Sequence, residues 1–228
     1  MHKMGWPLPL PFDVFKVYPP FTITRGEIEQ ATALPDLIVQ YPSSWVRSYQ
    51  LVEVSTYHRG IRRVATNYSD TLTAQQRQNM LDADPQTGIH VRIRYIPENS
   101  LKKNDPKELT YTLHLDTEVD ASFPGGRQKM LDYFQKKAID HIPPGVFKDY
   151  AASIITFTVN EQGHISDAQI FWPSQNEQVD KLLLDAVCNM PAWQPARFAN
   201  GSTTSQEFAL IVGSMENCAI NTVNIRRK

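Results

Sequence analysis

The chain has 228 residues, of which 41% are hydrophobic, 21% charged and 10% aromatic, with a formal net charge of −1. That much apolar material excludes a disordered or fibrous chain, and typical domains of roughly 100–150 residues point to two folded units. Residues 1–120 carry 13 basic and 14 acidic side chains, so nothing provides the basic face that binding to bulk nucleic acid needs.

The opening MHKMGWPLPLPF contains three prolines and reads as an extended, polyproline-like lead-in over residues 1–12. No stretch approaches the ~20 apolar residues of a membrane span, and the lead-in does not have the form of a signal peptide. A membrane role would need an anchor upstream of these residues or in another chain. Residues 13–118 are expected to form a mainly antiparallel β domain, because DVFKVYPPFTIT, DLIVQYP, SYQLVEVSTY, HVRIRYI and ELTYTLHLD alternate or are rich in β-branched and aromatic residues. In HVRIRYI, Val91, Ile93 and Tyr95 point one way and Arg92 and Arg94 the other, whereas in SYQLVEVSTY neither face is cleanly apolar. One short helix interrupts the pattern after Thr73, where Gln76 three residues later completes a capping box. Arg59, Arg62 and Arg63 beside Tyr57 form the densest cationic patch; a solvated hairpin tip around Gly60 is preferred over a polyanion site.

Beyond Phe123-Pro124-Gly125-Gly126 the pattern changes. A helix carrying Met130, Leu131, Phe134 and Ala138 on one face ends at Pro143 and Pro144. A hairpin follows, with Ile155, Phe157 and Val159 alternating, a turn through Gly163, and a return from Ile165 to Trp172. Val179, Leu182, Leu183, Ala186, Val187 and Met190 mark a second helix stopped by Pro191, and a last strand places Phe208, Leu210 and Val212 on one face. The expected fold class is therefore α+β. Residues 119–213 build two helices on one face of a three-stranded antiparallel sheet, and residues 214–228 are a tail that adds a strand or hangs free.

Chemistry is sparse. His2, His58, His90, His114, His141 and His164 are scattered without ligand spacing, so neither a metal nor a cofactor is expected. His164, Ser166 and Asp167 sit too close along one strand for the convergence that a hydrolase triad needs. Asp116, Glu118 and Asp120 alternate as if on one strand face and read as a charged edge in preference to a calcium site. Cys188 reads as a small core residue, with a Cys188–Cys218 bridge left open for an oxidising compartment. No enzymatic function is expected.

FPGGRQKMLDYFQKKA, ITFTVNEQGHISDAQI, VDKLLLDAVCNMPAWQPARFANG and FALIV, in that order, resemble the C-terminal domain of TonB-family energy transducers. The positions that carry the likeness are Phe123, Pro124, Gly125, Gly126, Pro143, Gly163, Asp167, Pro191, Trp193 and Pro195. Ile142 stands where the family usually has a tyrosine before Pro143, and the run DYAAS has no glycine where one is common. Trp193 is read as a core plug with its indole N–H satisfied, in preference to a ligand contact.

The resemblance implies a periplasmic protein–protein interaction module. It would bind an extended segment of an outer-membrane TonB-dependent receptor by strand addition, and would transmit energy from inner-membrane motor proteins through an anchor not in this chain. The implied gripping edge is Thr204, Ser205, Gln206, Glu207, Phe208, Ala209 and Leu210 of the last strand. A homodimer is compatible with it, and neither a nucleic-acid partner nor a direct membrane span is implied. A fainter likeness joins FTITRGEIEQA, LTAQQRQNML and GIHVRIRYI to the C-terminal β domain of GldM-type gliding-motility and type 9 secretion proteins. It implies the alternative of a structural scaffold in an envelope secretion or motility assembly.

Overall fold

The chain enters its C-terminal unit, leaves it, and comes back. Residues up to Tyr18 cluster with those from Glu118 onward, while Pro19–Thr117 form a separate compact unit. The computed structural model describes residues 9–99, 101, 103–149 and 151–225 of this α+β protein; the readings of residues 1–8 and of the terminal RRK lie outside them.

In the unit of residues 19–117, β2 (Thr22–Ile23), β3 (Val46–His58), β4 (Ile61–Asn67), β5 (Ile89–Pro97) and β6 (Lys107–Leu115) form one sheet in the order β2-β6-β5-β3-β4. All neighbours are antiparallel except β2 with β6. The short helices α1 (Arg25–Gln30) and α2 (Ala74–Leu81) contribute Ile28 and Met80 to a core that also holds Val52, Val54, Val91, Ile93 and Leu113.

The confused faces of SYQLVEVSTY have a cause here. Tyr49 pairs with Tyr95 but Leu51 pairs with Arg94, so Gln50 is an extra residue in β3, and the inward set switches from Tyr49 to Val52 and Val54. Around the Arg59–Gly60 turn the carboxylate of Asp84 accepts the N–H groups of both residues at 2.9 Å, which holds its pKa below the usual range. Arg62 and Arg92 both reach Glu53, and Arg63 reaches Asp82, so these cations are met by carboxylates.

The capping box of α2 forms as expected: Thr73 Oγ1 accepts the Gln76 N–H at 3.1 Å, and Gln76 Oε1 accepts the Thr73 N–H at 2.9 Å. Gln76 is fully buried and donates onward to the Val52 carbonyl at 3.2 Å, which ties the helix start to β3. Thr73→Ala is expected to cost about 1 kcal/mol, read as a lower denaturation midpoint for this unit alone. An unchanged midpoint would show that the cap contributes nothing.

The C-terminal unit holds β1 (Phe12–Lys16), α3 (Gly126–Lys137), β7 (Ala152–Val159), β8 (Ile165–Trp172), α4 (Glu177–Cys188), the two-residue strands β9 (Ala196–Arg197) and β10 (Thr203–Thr204), and β11 (Gln206–Gly213). Its main sheet has four strands, all antiparallel, in the order β1-β11-β7-β8. Both long helices lie on one face. Met130 and Phe134 of α3 and Val179, Leu183 and Val187 of α4 pack with Ile155, Phe157, Val159, Phe208, Leu210 and Val212.

The opposite face, with Ile154, Ala209 and Ile211, is covered by Ala219 and Ile220 of a 3₁₀ turn at Cys218–Thr222 and by Val223. The described part of the tail therefore closes a second small core.

Three readings are corrected, and one buried carboxylate was not anticipated. The sheet of residues 119–213 gains a fourth strand from what was read as lead-in and the start of the β domain, because Phe12–Lys16 pair with β11. Cys188 is exposed, since the buried face of α4 runs through Val187 and leaves its neighbour outside; both thiols are free, so no Cys188–Cys218 bridge forms. Strand β6 ends at Leu115, so Asp116, Glu118 and Asp120 share no strand face, and Asp120 instead takes Lys16 at 2.6 Å. Asp180, on the same helix as the apolar stripe, is buried and accepts the Ser174 N–H at 2.8 Å and the Ser153 hydroxyl at 3.3 Å.

Among the described residues, no helix is long and apolar enough to cross a membrane, and no group of three or more His, Cys, Asp or Glu is placed to hold a metal ion.

Candidate functional site

The three motifs that carry the family likeness meet in space. Trp193, 5% exposed, lies edge-on to Phe123 with ring centroids 5.7 Å apart, and its backbone N–H donates to the Gly163 carbonyl at 2.8 Å. Phe123 in turn contacts Tyr133 of α3 at 5.7 Å, closing the helix entry over the core. Gly125 and Gly126 both have positive φ, 84° and 81°, which lets the chain turn sharply from Pro124 into α3.

Pro191 and Pro195 flank Trp193 on the loop after α4, and Pro143 follows the short 3₁₀ turn that ends the α3 segment. Asp167 is exposed, at φ 51°, where β8 carries an extra residue opposite β7. Trp193 is a core plug as read, but its indole N–H has no partner among the described residues. The surrounding side chains Phe157 and Phe208, with centroids at 6.0 Å and 5.1 Å, offer no acceptor.

The expected gripping edge is distributed differently from the reading. Thr204 belongs to β10 and pairs with Ala196, and Ser205 is an exposed break before β11. Gln206 is buried: its side-chain oxygen accepts the Ala121 N–H at 2.8 Å and its amide donates to Asp120 at 2.9 Å. Glu207 pairs with Thr158 and is exposed, though partial desolvation of its carboxyl pushes the pKa up. Phe208 stacks on Phe157 at 5.7 Å, while Ala209 and Leu210 are fully buried. Residues 206–210 thus share one strand, and Thr204 and Ser205 lie off it.

The larger correction concerns the rim itself. β11 is an interior strand, paired with β7 on one side and with β1 on the other, from Phe12↔Val212 to Lys16↔Phe208. The Val17 N–H extends the ladder to the Glu207 carbonyl, and the Gly213 N–H reaches the Pro11 carbonyl, each at 2.8 Å. The sequence reads DVFKVYPPFTIT as β-like but assigns it to the domain of residues 13–118; its pairing with β11 was missed. Phe12 and Val14 alternate with Asp13 as they would in any half-buried strand.

Two ion pairs hold the strand at its sides, Asp13 with Arg127 at 2.5 Å and Lys16 with Asp120 at 2.6 Å. Beside it runs an open groove of about 670 Å³, lined among others by Phe15, Lys16, Tyr18, Arg127, Met215 and Ile220.

The other rim of the sheet is β8, which has no strand partner beyond β7 among the described residues. It exposes Ile170, Phe171 and Trp172, and its pairing with β7 is interrupted twice, near Phe171 and near Asp167. An interrupted edge discourages further pairing. The register of β11 with β7, by contrast, runs uninterrupted over eight residues. Comparison with known protein-family models, curated proteins and solved structures finds no match to this chain.

Proposed function

We propose that the C-terminal unit is a protein–protein interaction module of the Gram-negative periplasm, built on the plan of the TonB-family C-terminal domain. In this reading the module takes an extended segment of an outer-membrane receptor on the β11 rim, by main-chain pairing. Through a membrane anchor supplied upstream or by another chain, it passes energy from an inner-membrane motor to receptor-mediated transport. The observation that carries the reading is β1: an extended strand from a distant part of the chain already sits on that rim in full antiparallel register. Strand addition is how such a rim contributes main-chain hydrogen bonds to affinity and side-chain pockets to specificity.

A second reading, a structural scaffold of an envelope assembly, draws on a different observation. With β1 on its rim and the 3₁₀ turn on its second face, the sheet is closed on two sides, as suits a packing module. Photo-crosslinking in the native cell separates the two. A photoreactive residue at Ser205 or Glu207 is expected to capture the extended segment of an outer-membrane receptor, while the same residue at Lys136 on α3 is not. Equal capture at all three positions, or none of a receptor, would overturn the receptor-binding reading and favour the scaffold.

A further inference from the structure

The resident strand and the strand it covers are unequally buried. Every residue of β1 is only half-buried, whereas all of β11 except Glu207 is buried. β1 pairs over five residues and β7 over eight, so the rim of β11 is made as interior structure but closed by the shorter of its two neighbours. The ion pairs at its flanks are partly open to water, with the Arg127 side chain 63% exposed and that of Asp120 54%. Exposed pairs of this kind hold weakly. Strands with few buried contacts belong to the low-stability end of a fold and open first.

We infer that β1 is a latch that an incoming partner must displace, and that its sequence Phe-Asp-Val-Phe-Lys is a template for that partner. The partner would be an extended segment with apolar side chains where Phe12 and Val14 meet the helix-covered core. It would carry an acidic group opposite Arg127 and a basic group opposite Asp120. Phe15 and Val17, which pack on the other small core, set an apolar requirement on the second face. The inference rests on the acceptor reading above, and adds that the slot is shut until the latch lifts.

The register supplies the test. Hydrogen bonds at Val17 and Pro11, spaced by the two-residue period of an antiparallel ladder, make Asp13 and Phe15 the β1 positions that face β11 with their main chain. The Val14 N–H agrees, since it turns to the Asp13 carboxylate at 2.7 Å. In the full chain, Asp13→Pro with Phe15→Pro removes both ladder donors. The probe is a labelled synthetic peptide of residues 9–18. A tethered strand competes at an effective concentration on the order of millimolar, so the variant is expected to bind the peptide about tenfold or more tightly than the unaltered chain.

A second variant, Asp13→Lys with Lys16→Glu, leaves the backbone intact and should also bind the peptide more tightly than the unaltered chain. A peptide with the same two charges reversed should bind the proline variant at least about threefold more weakly than the native sequence. Equal binding by the unaltered chain and both variants would overturn the latch while leaving the acceptor rim standing. Equal binding of the two peptides would overturn the charge template. No binding by any form, with amide protection retained in α3 and α4, would overturn the acceptor reading and the latch with it.

Discussion

Gly163→Ala is expected to cost the C-terminal unit about 4 kcal/mol or more, a large share of a typical domain's stability, while the unit of residues 19–117 keeps its own transition. Gly163 sits at φ 83° in the turn between β7 and β8, and a Cβ added there would lie 2.0 Å from the Trp193 carbonyl oxygen. Neither the turn nor the loop can yield easily. The Gly163 N–H donates to the Asn160 carbonyl at 2.9 Å, and the Trp193 N–H donates to Gly163.

Gly201→Ala is the matched control. Its φ is also 83°, but nothing lies within 4 Å of the added Cβ, so only the backbone strain of about 1–2 kcal/mol remains. Denaturant unfolding of the two variants, followed with probes in each unit, should give midpoints far apart. If they shift alike, the close approach of Trp193 is not what the glycine protects.

The turn glycine shows how far residue patterns reach. The need for a left-handed residue between two alternating runs was readable at Gly163, but the carbonyl above it was not, because Trp193 arrives from a loop thirty residues later. Elements with a local period, α4 and β7 among them, were legible for the same reason: an apolar stripe or alternation is written in neighbouring residues.

Helix α1 was passed over although Thr24 and Glu27 repeat the capping box of Thr73 and Gln76, because six residues are too few to show a period. The candidate site failed on a different count. That β11 is continuous and apolar was visible, but whether its rim is free depends on β1, whose pairing no local signal encodes. The tail misled similarly. Ala219, Ile220 and Val223 look like scattered apolar residues until Ile154, Ala209 and Ile211 supply the surface they cover.

The second large effect lies in the aromatic cluster on the helix-covered face. Phe157 is fully buried, stacked on Phe208 at 5.7 Å with 19° between planes, and edge-on to Trp193 at 6.0 Å. Phe157→Ala is expected to cost about 3–5 kcal/mol, the loss of transfer free energy plus the hollow left between the Phe208 ring and the Trp193 indole. Phe157→Leu keeps most of the volume and should cost less than half as much.

The change should also be visible at Trp193, whose indole N–H has no partner inside the core and would gain access to water as packing loosens. With Trp6, Trp45 and Trp172 replaced by phenylalanine, a red shift of the remaining Trp193 emission in Phe157→Ala, still folded in cold buffer, is the expected reading. A midpoint within about 1 kcal/mol of the parent would show that the cluster repacks around the gap.

The route of the chain through the first unit has a consequence for biosynthesis. Strand β1 leaves the ribosome ahead of residues 19–117, and the strand it rests on emerges only after them. During translation the intervening unit can fold by itself, but β1 has no seat until Gln206–Gly213 have been released. For that interval its apolar side chains are open to capture by chaperones or by whatever extended ligand is nearby, so the earliest moment at which the rim can be contested is the nascent chain's own maturation.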